Sequence, residues 1–455
     1  MNVSDFFEYM KPGKRGHLIG IGGVSMSALG EVLLSMGINI TGSDMNEGDT
    51  VRALRGKGIN VTIGHLPESV EGADFVVRTA AVHDDNPEIA SAIEKGIPVF
   101  ERTQAWGAIM RSYKNAICVA GTHGKTTTTS MVTHILMAEN SDPTVMIGGT
   151  LPLLKSGYRV GEGDTIVLES CEYYNSFHSF LPTVAVVLNV DTDHLDFFKD
   201  LDDIKHSFGV FAANVPENGY IVVNADDANS LDSIADIKGR NIVTFAIENK
   251  ADVIAENIVY GRSTSFDLVY KGRCVAHIEM KVCGKHNIYN ALAASAAALV
   301  SGVSAESIAE GLGQFRGAGR RVEYKGECGG ADVYDDYAHH PNELKATLTA
   351  VRDMGYERVI CAFQPHTYTR TKALFEEFID ALALADKVYL AEIYAARETN
   401  TVGISSKDLA DRIDGAVYSP SFDDLAKKLK EEAKPGDIIL TVGAGDIYKV
   451  GESII

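Results

Sequence analysis

The run Ala120-Gly121-Thr122-His123-Gly124-Lys125-Thr126-Thr127 directly follows an apolar stretch, residues 116–120. It directly precedes apolar positions at helical spacing, Met131, Ile135, Leu136 and Met137. A short apolar strand, a glycine-rich turn and a helix in that order place the turn at the carboxyl end of a buried strand. Glycines there let backbone N–H groups close around phosphate oxygens, and the helix N-terminus adds a favourable dipole. Lys125 is expected to reach the outer phosphates and the Thr126 hydroxyl to bind Mg²⁺. The first glycine of the usual G-x-x-x-x-G-K-T pattern is absent, since position 119 is Val. A chain with this turn is committed to a parallel α/β sheet around it.

Strand and helix patterns alternate on both sides of this segment. Before it, strands are expected at 17–21, 38–40 and 74–79. After it they are expected at 165–168, 184–189 and 220–224, then at 333–334, 359–363, 388–391 and 438–442. Residues 251–283 break the alternation. Turn signals at Gly261-Arg262-Ser263 and Lys271-Gly272-Arg273 mark short antiparallel strands, and a helix over 287–300 follows. The reading is an α/β chain of three domains. The first, 1–112, is Rossmann-like. The second, 113–318, is a P-loop domain with an added small antiparallel sheet. The third, 319–455, is again Rossmann-like, beyond a glycine- and arginine-rich linker at 313–319. A length of 455 residues accommodates three cores.

Charge narrows the partners. Lys and Arg total 42 against 62 Asp and Glu, a net charge of −20. A field of that sign argues against coating nucleic acid or binding an anionic membrane surface. It leaves a local phosphate cleft open. The six cysteines are scattered with no C-x-x-C pair, which suits reduced thiols, and the first residues show no targeting segment. A cytoplasmic chain without a membrane span is expected.

Three further groups carry chemistry. Glu169 ends one expected strand and His194 follows another, so both should converge with Lys125 at the strand ends, where a carboxylate and an imidazole can ligate a cation. Gly20-Ile21-Gly22-Gly23-Val24-Ser25 follows the first strand, and Asp44 lies 22 residues beyond Gly22. That spacing suits a diphosphate on a helix N-terminus with an acid near the sugar or base. Taken alone, it does not separate a dinucleotide cofactor from a nucleotide-sugar. Last come Arg320-Arg321, then 335–341 with Asp336, His339 and His340, then 364–370 with His366 and Arg370. Together they read as an anion- and substrate-binding face.

With these motifs in place and in order, the chain resembles the Mur ligase family over nearly its whole length. The resemblance rests on residues 17–27, 42–44, 85–88, 120–129, 193–196, 284–287 with Asn290, 319–321, 336–341, 363–370 and 443–446. The first-domain, 336–341 and 363–366 motifs point to the first ligase of the series. The resemblance implies a UDP-binding first domain, an ATP-binding central domain and a closing third domain. It implies ATP, Mg²⁺, UDP-N-acetylmuramate and L-alanine as ligands, in the first amino-acid addition of peptidoglycan precursor synthesis by a monomer or weak homodimer.

The implied roles follow the motifs. Gly20, Gly22, Gly23, Ser25, Met26, Ser27 and Asp44 hold the UDP-sugar. Gly121, Thr122, His123, Gly124, Lys125, Thr126 and Thr127 hold ATP, with His286, Asn287 and Asn290 near the adenosine, Arg321 at the γ-phosphate and Asp336 at the ribose. Thr126, Glu169 and His194 ligate magnesium. His366 and Arg370 meet the substrates, and Lys125, His194, Arg321, His339 and His340 take part in catalysis. Two departures stand out. The family's acidic run Glu-Ala-Asp-Glu-Ser-Asp reads Glu169-Ser170-Cys171-Glu172-Tyr173-Tyr174 here, and Thr367 stands where some members carry arginine.

The rival readings are a recycling ligase that attaches a preformed peptide to the same sugar, a dinucleotide-dependent oxidoreductase, and a non-enzymatic P-loop switch.

Overall fold

The computed structural model of the chain describes every residue except 1, 80, 262 and 318. Residue 318, the expected end of the central domain, therefore lies outside the described residues. The first sheet comprises β1 (Arg15–Ile19), β2 (Asn39–Asp44), β3 (Asn60–Ile63), β4 (Phe75–Arg78) and β5 (Val99–Glu101), with helices α1 (Val24–Ser35), α2 (Pro87–Glu94) and α3 (Arg102–Met110). Its order is β3-β2-β1-β4-β5, all parallel. The order reverses beside β1, and that switch point is where parallel sheets open a ligand crevice. β2 runs further than its apolar residues suggest, because Gly42 and Ser43 stay in register with Leu18 and Ile19.

The second sheet is built around β6 (Asn115–Ala120), whose residues 116–120 have no exposed surface. A strand buried on both faces reads as a continuous apolar run, which is what made it legible. α4 (Lys125–Ala138) follows it. Then come β7 (Thr144–Leu151), β8 (Ser156–Arg159), β9 (Thr165–Glu169), β10 (Val184–Val187), β11 (Tyr220–Asn224), β12 (Asn241–Ala246), β13 (Val253–Val259), β14 (Thr264–Tyr270) and β15 (Arg273–Met280). The order is β15-β14-β13-β12-β11-β10-β6-β9-β7-β8.

The expected small extra sheet is not separate: β13 pairs parallel to β12, and β14 and β15 continue the same ten-stranded sheet. Lys271 and Gly272, both at positive φ (49° and 74°), make the two-residue turn between β14 and β15. The hairpin β7–β8 is antiparallel and was not expected. α5 (Lys285–Val300) matches the helix expected over 287–300.

The third sheet comprises β16 (Glu323–Cys328), β17 (Ala331–Asp336), β18 (Arg358–Phe363), β19 (Lys387–Leu390), β20 (Val417–Tyr418) and β21 (Asp437–Val442), with α6 (Pro341–Arg352) and α7 (Tyr368–Ala373). Its order is β16-β17-β21-β18-β19-β20, and only the β16–β17 pair is antiparallel.

By packing, the chain forms two units. One comprises Met1–Ile254, Val269–Ala276 and Asn290–Gly311; the other comprises Ala255–Leu268, His277–Tyr289 and Leu312–Ile455. Among the described residues no helix is long and apolar enough to cross a membrane. All six cysteines are free thiols.

Candidate functional site

The glycine-rich turn leaves β6 and enters α4 through Gly124, whose φ of 84° is left-handed. A side chain there would strain the backbone, and its Cβ would stand 2.5 Å from Asn290 Oδ1. The turn is pinned to the loop after β10. Thr122 N–H donates to the Asn189 carbonyl (3.0 Å), His123 N–H to Asn189 Oδ1 (2.8 Å) and Asp191 N–H to Thr122 Oγ1 (2.9 Å). Asn290 Oδ1 accepts from Thr128 Oγ1 at 3.2 Å, so Asn290 braces the first turn of α4 rather than standing clear for an adenosine. Thr127 is buried, which leaves its backbone as the part able to meet a phosphate.

Lys125 and His194 meet at a carboxylate, but it is Glu172; Glu169 is joined to Thr126 instead. Lys125 Nζ donates to Glu172 Oε2 at 2.9 Å and to the carbonyls of Gly121 (2.6 Å) and Thr122 (3.1 Å). His194 Nε2 lies 3.6 Å from Glu172 Oε1, and its ring stacks on Tyr173 with centroids 4.4 Å apart. Burial alone would lower the Lys125 pKa; the Glu172 charge more than offsets this and raises it, so the ammonium keeps its proton. Glu172 is 2% exposed. It sits in an irregular segment where Tyr174 and Asn175 both take left-handed φ, so neither strand nor helix periodicity marked it. The only signal was its survival in the altered acidic run. Desolvation and the Glu172 charge push the Cys171 thiol up to about 11, so it stays neutral and does not replace the aspartate the family often carries.

The oxygens that suit a hard cation lie beside this cluster. Thr126 Oγ1 donates to Glu169 Oε1 at 3.0 Å, and Glu169 Oε2 accepts from Gly148 N–H at 2.6 Å. A hydroxyl and a carboxylate at this separation fit Mg²⁺, which favours oxygen. His194 Nε2 lies near two carboxylates, Glu172 at 3.6 Å and Asp193 at 3.9 Å, without a hydrogen bond to either.

The second part of the same unit is a cleft of about 790 Å³ at the carboxyl ends of β1 to β4, lined by Gly22, Gly23, Asp44, Asn46, His65 and His83 among others. Asp44 Oδ2 accepts from Gly22 N–H at 2.8 Å; a Cβ on Gly22 would stand 2.7 Å from that oxygen, so the contact requires glycine. α1 begins at this turn without a side-chain cap, leaving its first N–H groups for an anion. The expectations for Met26 and Ser27 need correcting. Met26 is in the apolar core, and Ser27 is fully buried with its hydroxyl on the Val24 carbonyl (2.9 Å), so neither side chain can meet a ligand. Ser25 is also occupied: it accepts from Trp106 Nε1 at 3.1 Å and lies 2.8 Å from Met146 Sδ on β7.

The other unit separates two neighbouring arginines. Arg320 donates to Asp335 (2.7 Å) and to the carbonyls of Gly443 (2.6 Å) and Gly445 (3.2 Å), so it closes a loop and is not free for a ligand. Arg321 makes no hydrogen bond or ion pair among the described residues and lies over the Tyr337 ring at 5.4 Å. Val322 between these arginines and β16 holds φ 48°, strain unusual for a β-branched residue. Asp336 does not fit the expected ribose role. It is buried, and its oxygens already accept from Val322 N–H, Ala338 N–H (both 2.8 Å) and Thr347 Oγ1 (3.2 Å). Burial raises its pKa.

Burial, with the Arg321 cation adding, pushes His286 down to about 4, so this imidazole is neutral. Asn287 donates to the Cys283 carbonyl at 2.7 Å and is buried there. His339, His366 and Arg370 do come together. The two imidazole centroids are 5.6 Å apart, and Arg370 Nη1 donates to His366 Nδ1 at 3.2 Å. His340 instead caps α6, its Nδ1 accepting from Asn342 N–H at 3.3 Å.

Comparison with known proteins meets this geometry. Family models match in three consecutive stretches: "Mur ligase family, catalytic domain" over 15–114, "Mur ligase middle domain" over 119–298 and "Mur ligase, glutamate ligase domain" over 320–445. A UDP-N-acetylmuramate–L-alanine ligase of Caldanaerobacter subterraneus subsp. tengcongensis is 47% identical over 448 residues, covering 97% of each chain. Among solved structures, the UDP-N-acetylmuramate–alanine ligase of Thermotoga maritima aligns with a TM-score of 0.77 at 29% identity, over 97% of this chain and 98% of that one. A murein peptide ligase of Psychrobacter arcticus aligns with a TM-score of 0.66 at 25% identity, over 97% and 98%. With three α/β sheets, a phosphate turn closed by Glu172 and a near full-length match, the chain belongs to the Mur ligase family.

Proposed function

We propose that this chain joins L-alanine to the lactyl carboxylate of UDP-N-acetylmuramate, with ATP converted to ADP and phosphate. One observation carries the reading. A single packed unit presents a phosphate turn with Lys125, Thr126, Glu169 and Glu172 clustered on it, and also a glycine-turn cleft of nucleotide size. An oxidoreductase or a passive switch has no use for both. The name of the 47% identical relative supports alanine as the amino acid.

The chemistry needs two anions to approach each other. Lys125 neutralises the outer phosphates. In the other unit the Arg321 guanidinium, which makes no hydrogen bond or ion pair among the described residues and lies over the Tyr337 ring, is a second cation suited to a phosphate. Mg²⁺ held by Thr126 and Glu169 would supply further neutralisation of phosphate charge. The carboxylate oxygen attacks the γ-phosphorus and ADP leaves, giving an acyl phosphate. The alanine amine then attacks the carbonyl carbon, and phosphate departs with one former carboxylate oxygen. The amine must shed protons on the way. Of the three candidate histidines, His340 is engaged as a helix cap and the His194 ring is stacked on Tyr173 beside Glu172. His339 shares a cluster with His366 and Arg370, which suits it to receive a proton near an amino-acid carboxylate.

A coupled ADP-release assay with UDP-N-acetylmuramate against L-alanine, glycine, L-serine and a tripeptide tests the reading. Turnover is expected to be fastest with L-alanine and to require both substrates. Preference for the tripeptide would move the chain to the recycling reaction.

A further inference from the structure

Beneath the first unit's cleft lies a buried polar cluster that the reaction does not use. Glu88, with no exposed surface, sits at the start of α2, and both of its oxygens are engaged. Oε1 lies 3.2 Å from His17 Nε2; Oε2 accepts from Ser43 Oγ at 2.6 Å and lies 2.7 Å from His65 Nδ1. His17 Nδ1 is in turn 2.9 Å from Thr41 Oγ1. Four segments distant in sequence therefore meet on one carboxylate. Burial raises the Glu88 pKa, but the hydrogen bonds from His17 and Ser43 outweigh it and the net shift is downward, so the group is ionised.

An ionised carboxylate 2.7 Å from a ring nitrogen fixes the tautomer. A bare Nδ1 would set a lone pair against a negative oxygen, so Nδ1 carries the hydrogen and donates it to Glu88. Ser43 Oγ, 3.2 Å from the same nitrogen, already gives its own hydrogen to Glu88 and can only accept. In the singly protonated ring the one remaining polar atom is Nε2, which carries the lone pair. The His65 side chain is 15% exposed and lines the cleft, whereas Glu88 is sealed, so the exposed edge of the ring lies away from Nδ1.

The topology says which part of a ligand meets that edge. The glycine turn after β1 takes the diphosphate, and Asp44 ends β2, the next strand outward. The base then falls towards the end of β3, the strand beyond β2, and His65 stands just beyond β3.

We propose that Glu88 is a positioning residue for the base: by holding His65 with Nδ1–H inward, it presents Nε2 as an acceptor that selects a uracil ring, whose N3–H donates, over cytosine, whose N3 can only accept. This rests on the reading that the cleft takes the UDP moiety. The cluster explains why a glutamate is buried under a nucleotide cleft with two histidines on it, which apolar packing alone would not require.

The test measures UDP and CDP binding to the full chain by calorimetry for wild type, Glu88→Gln and His65→Ala, with the ¹⁵N shifts of His65 recorded alongside. Wild type is expected to favour UDP on the order of tenfold or more, the cost of facing two acceptors without a hydrogen between them. Its His65 should show the Nδ1–H tautomer. In Glu88→Gln the amide can donate or accept, so the tautomers should mix and the preference should fall to within about threefold. His65→Ala, a cavity-lining change that leaves Glu88 in place, should remove the preference similarly even if the glutamine variant folds poorly. An unchanged UDP preference in His65→Ala, or an Nε2–H tautomer in wild type, overturns the inference while leaving the cleft a UDP site. Absence of UDP binding to wild type removes the cleft assignment and the inference together.

Discussion

Lys125→Ala is expected to lower ATP-dependent turnover by about a thousandfold or more while leaving UDP binding to the first-sheet cleft within about twofold. Removing one preorganised donor to developing charge typically costs a hundredfold to a thousandfold. Lys125 is more than one donor: it is the buried cation of the phosphate turn, kept protonated by Glu172 and aimed by contacts to the Gly121 and Thr122 carbonyls. The cleft holding Gly22, Asp44 and His65 shares none of these contacts, so nucleotide-sugar binding measured by calorimetry should survive. A variant that turned over at near wild-type rate would show that the phosphates are held elsewhere.

The second large effect is on stability. Glu172→Ala leaves the Lys125 ammonium, 14% exposed, without its 2.9 Å partner. Breaking a buried pair from one side costs about 3–5 kcal/mol because a charge stays behind unmatched. It also releases His194, so activity should fall with stability. The double variant Lys125→Ala/Glu172→Ala removes both charges. It should therefore unfold at a higher temperature than Glu172→Ala alone, although it is inactive too. Thermal unfolding followed by circular dichroism checks the order. A double variant as unstable as the single one would mean that Glu172 acts by packing, not by charge.

These two predictions turn on residues that differ in how well the sequence announces them. Lys125 stands in a turn whose strand, glycines and helix all lie within about twenty residues, so local pattern sufficed. Glu172 follows the end of β9 in a segment with two left-handed residues, where no periodicity applies. The buried cluster under the cleft was invisible for another reason: residues 17, 43, 65 and 88 meet only because β1, β2 and β3 are neighbours and the Glu88 side chain at the start of α2 reaches all three segments. The hairpin β7–β8 was not foreseen; within β7, Gly148 is small so that Glu169 can reach its N–H.

Adjacent residues of one type also carried different fates. Arg320 and Arg321 look equivalent as a sequence pair, yet one is consumed by Asp335 and two carbonyls and the other lies over the Tyr337 ring without a hydrogen bond or ion pair among the described residues. Asp336 reads as a ligand-facing acid at a strand end but spends its oxygens tying its own loop. Met26 and Ser27 belong to a binding motif by position, but helix geometry turns both into the core. In each case sequence spacing located the element, and the direction of the side chain was decided by partners distant in the chain.

The central claim, a carboxylate activated as an acyl phosphate at the Lys125 turn, has one direct test. UDP-N-acetylmuramate labelled with ¹⁸O in its lactyl carboxylate is turned over with ATP and L-alanine, and the phosphate released is analysed by mass spectrometry. The account predicts one carboxylate oxygen in the phosphate for each amide bond formed. Amide formation with unlabelled phosphate would contradict it.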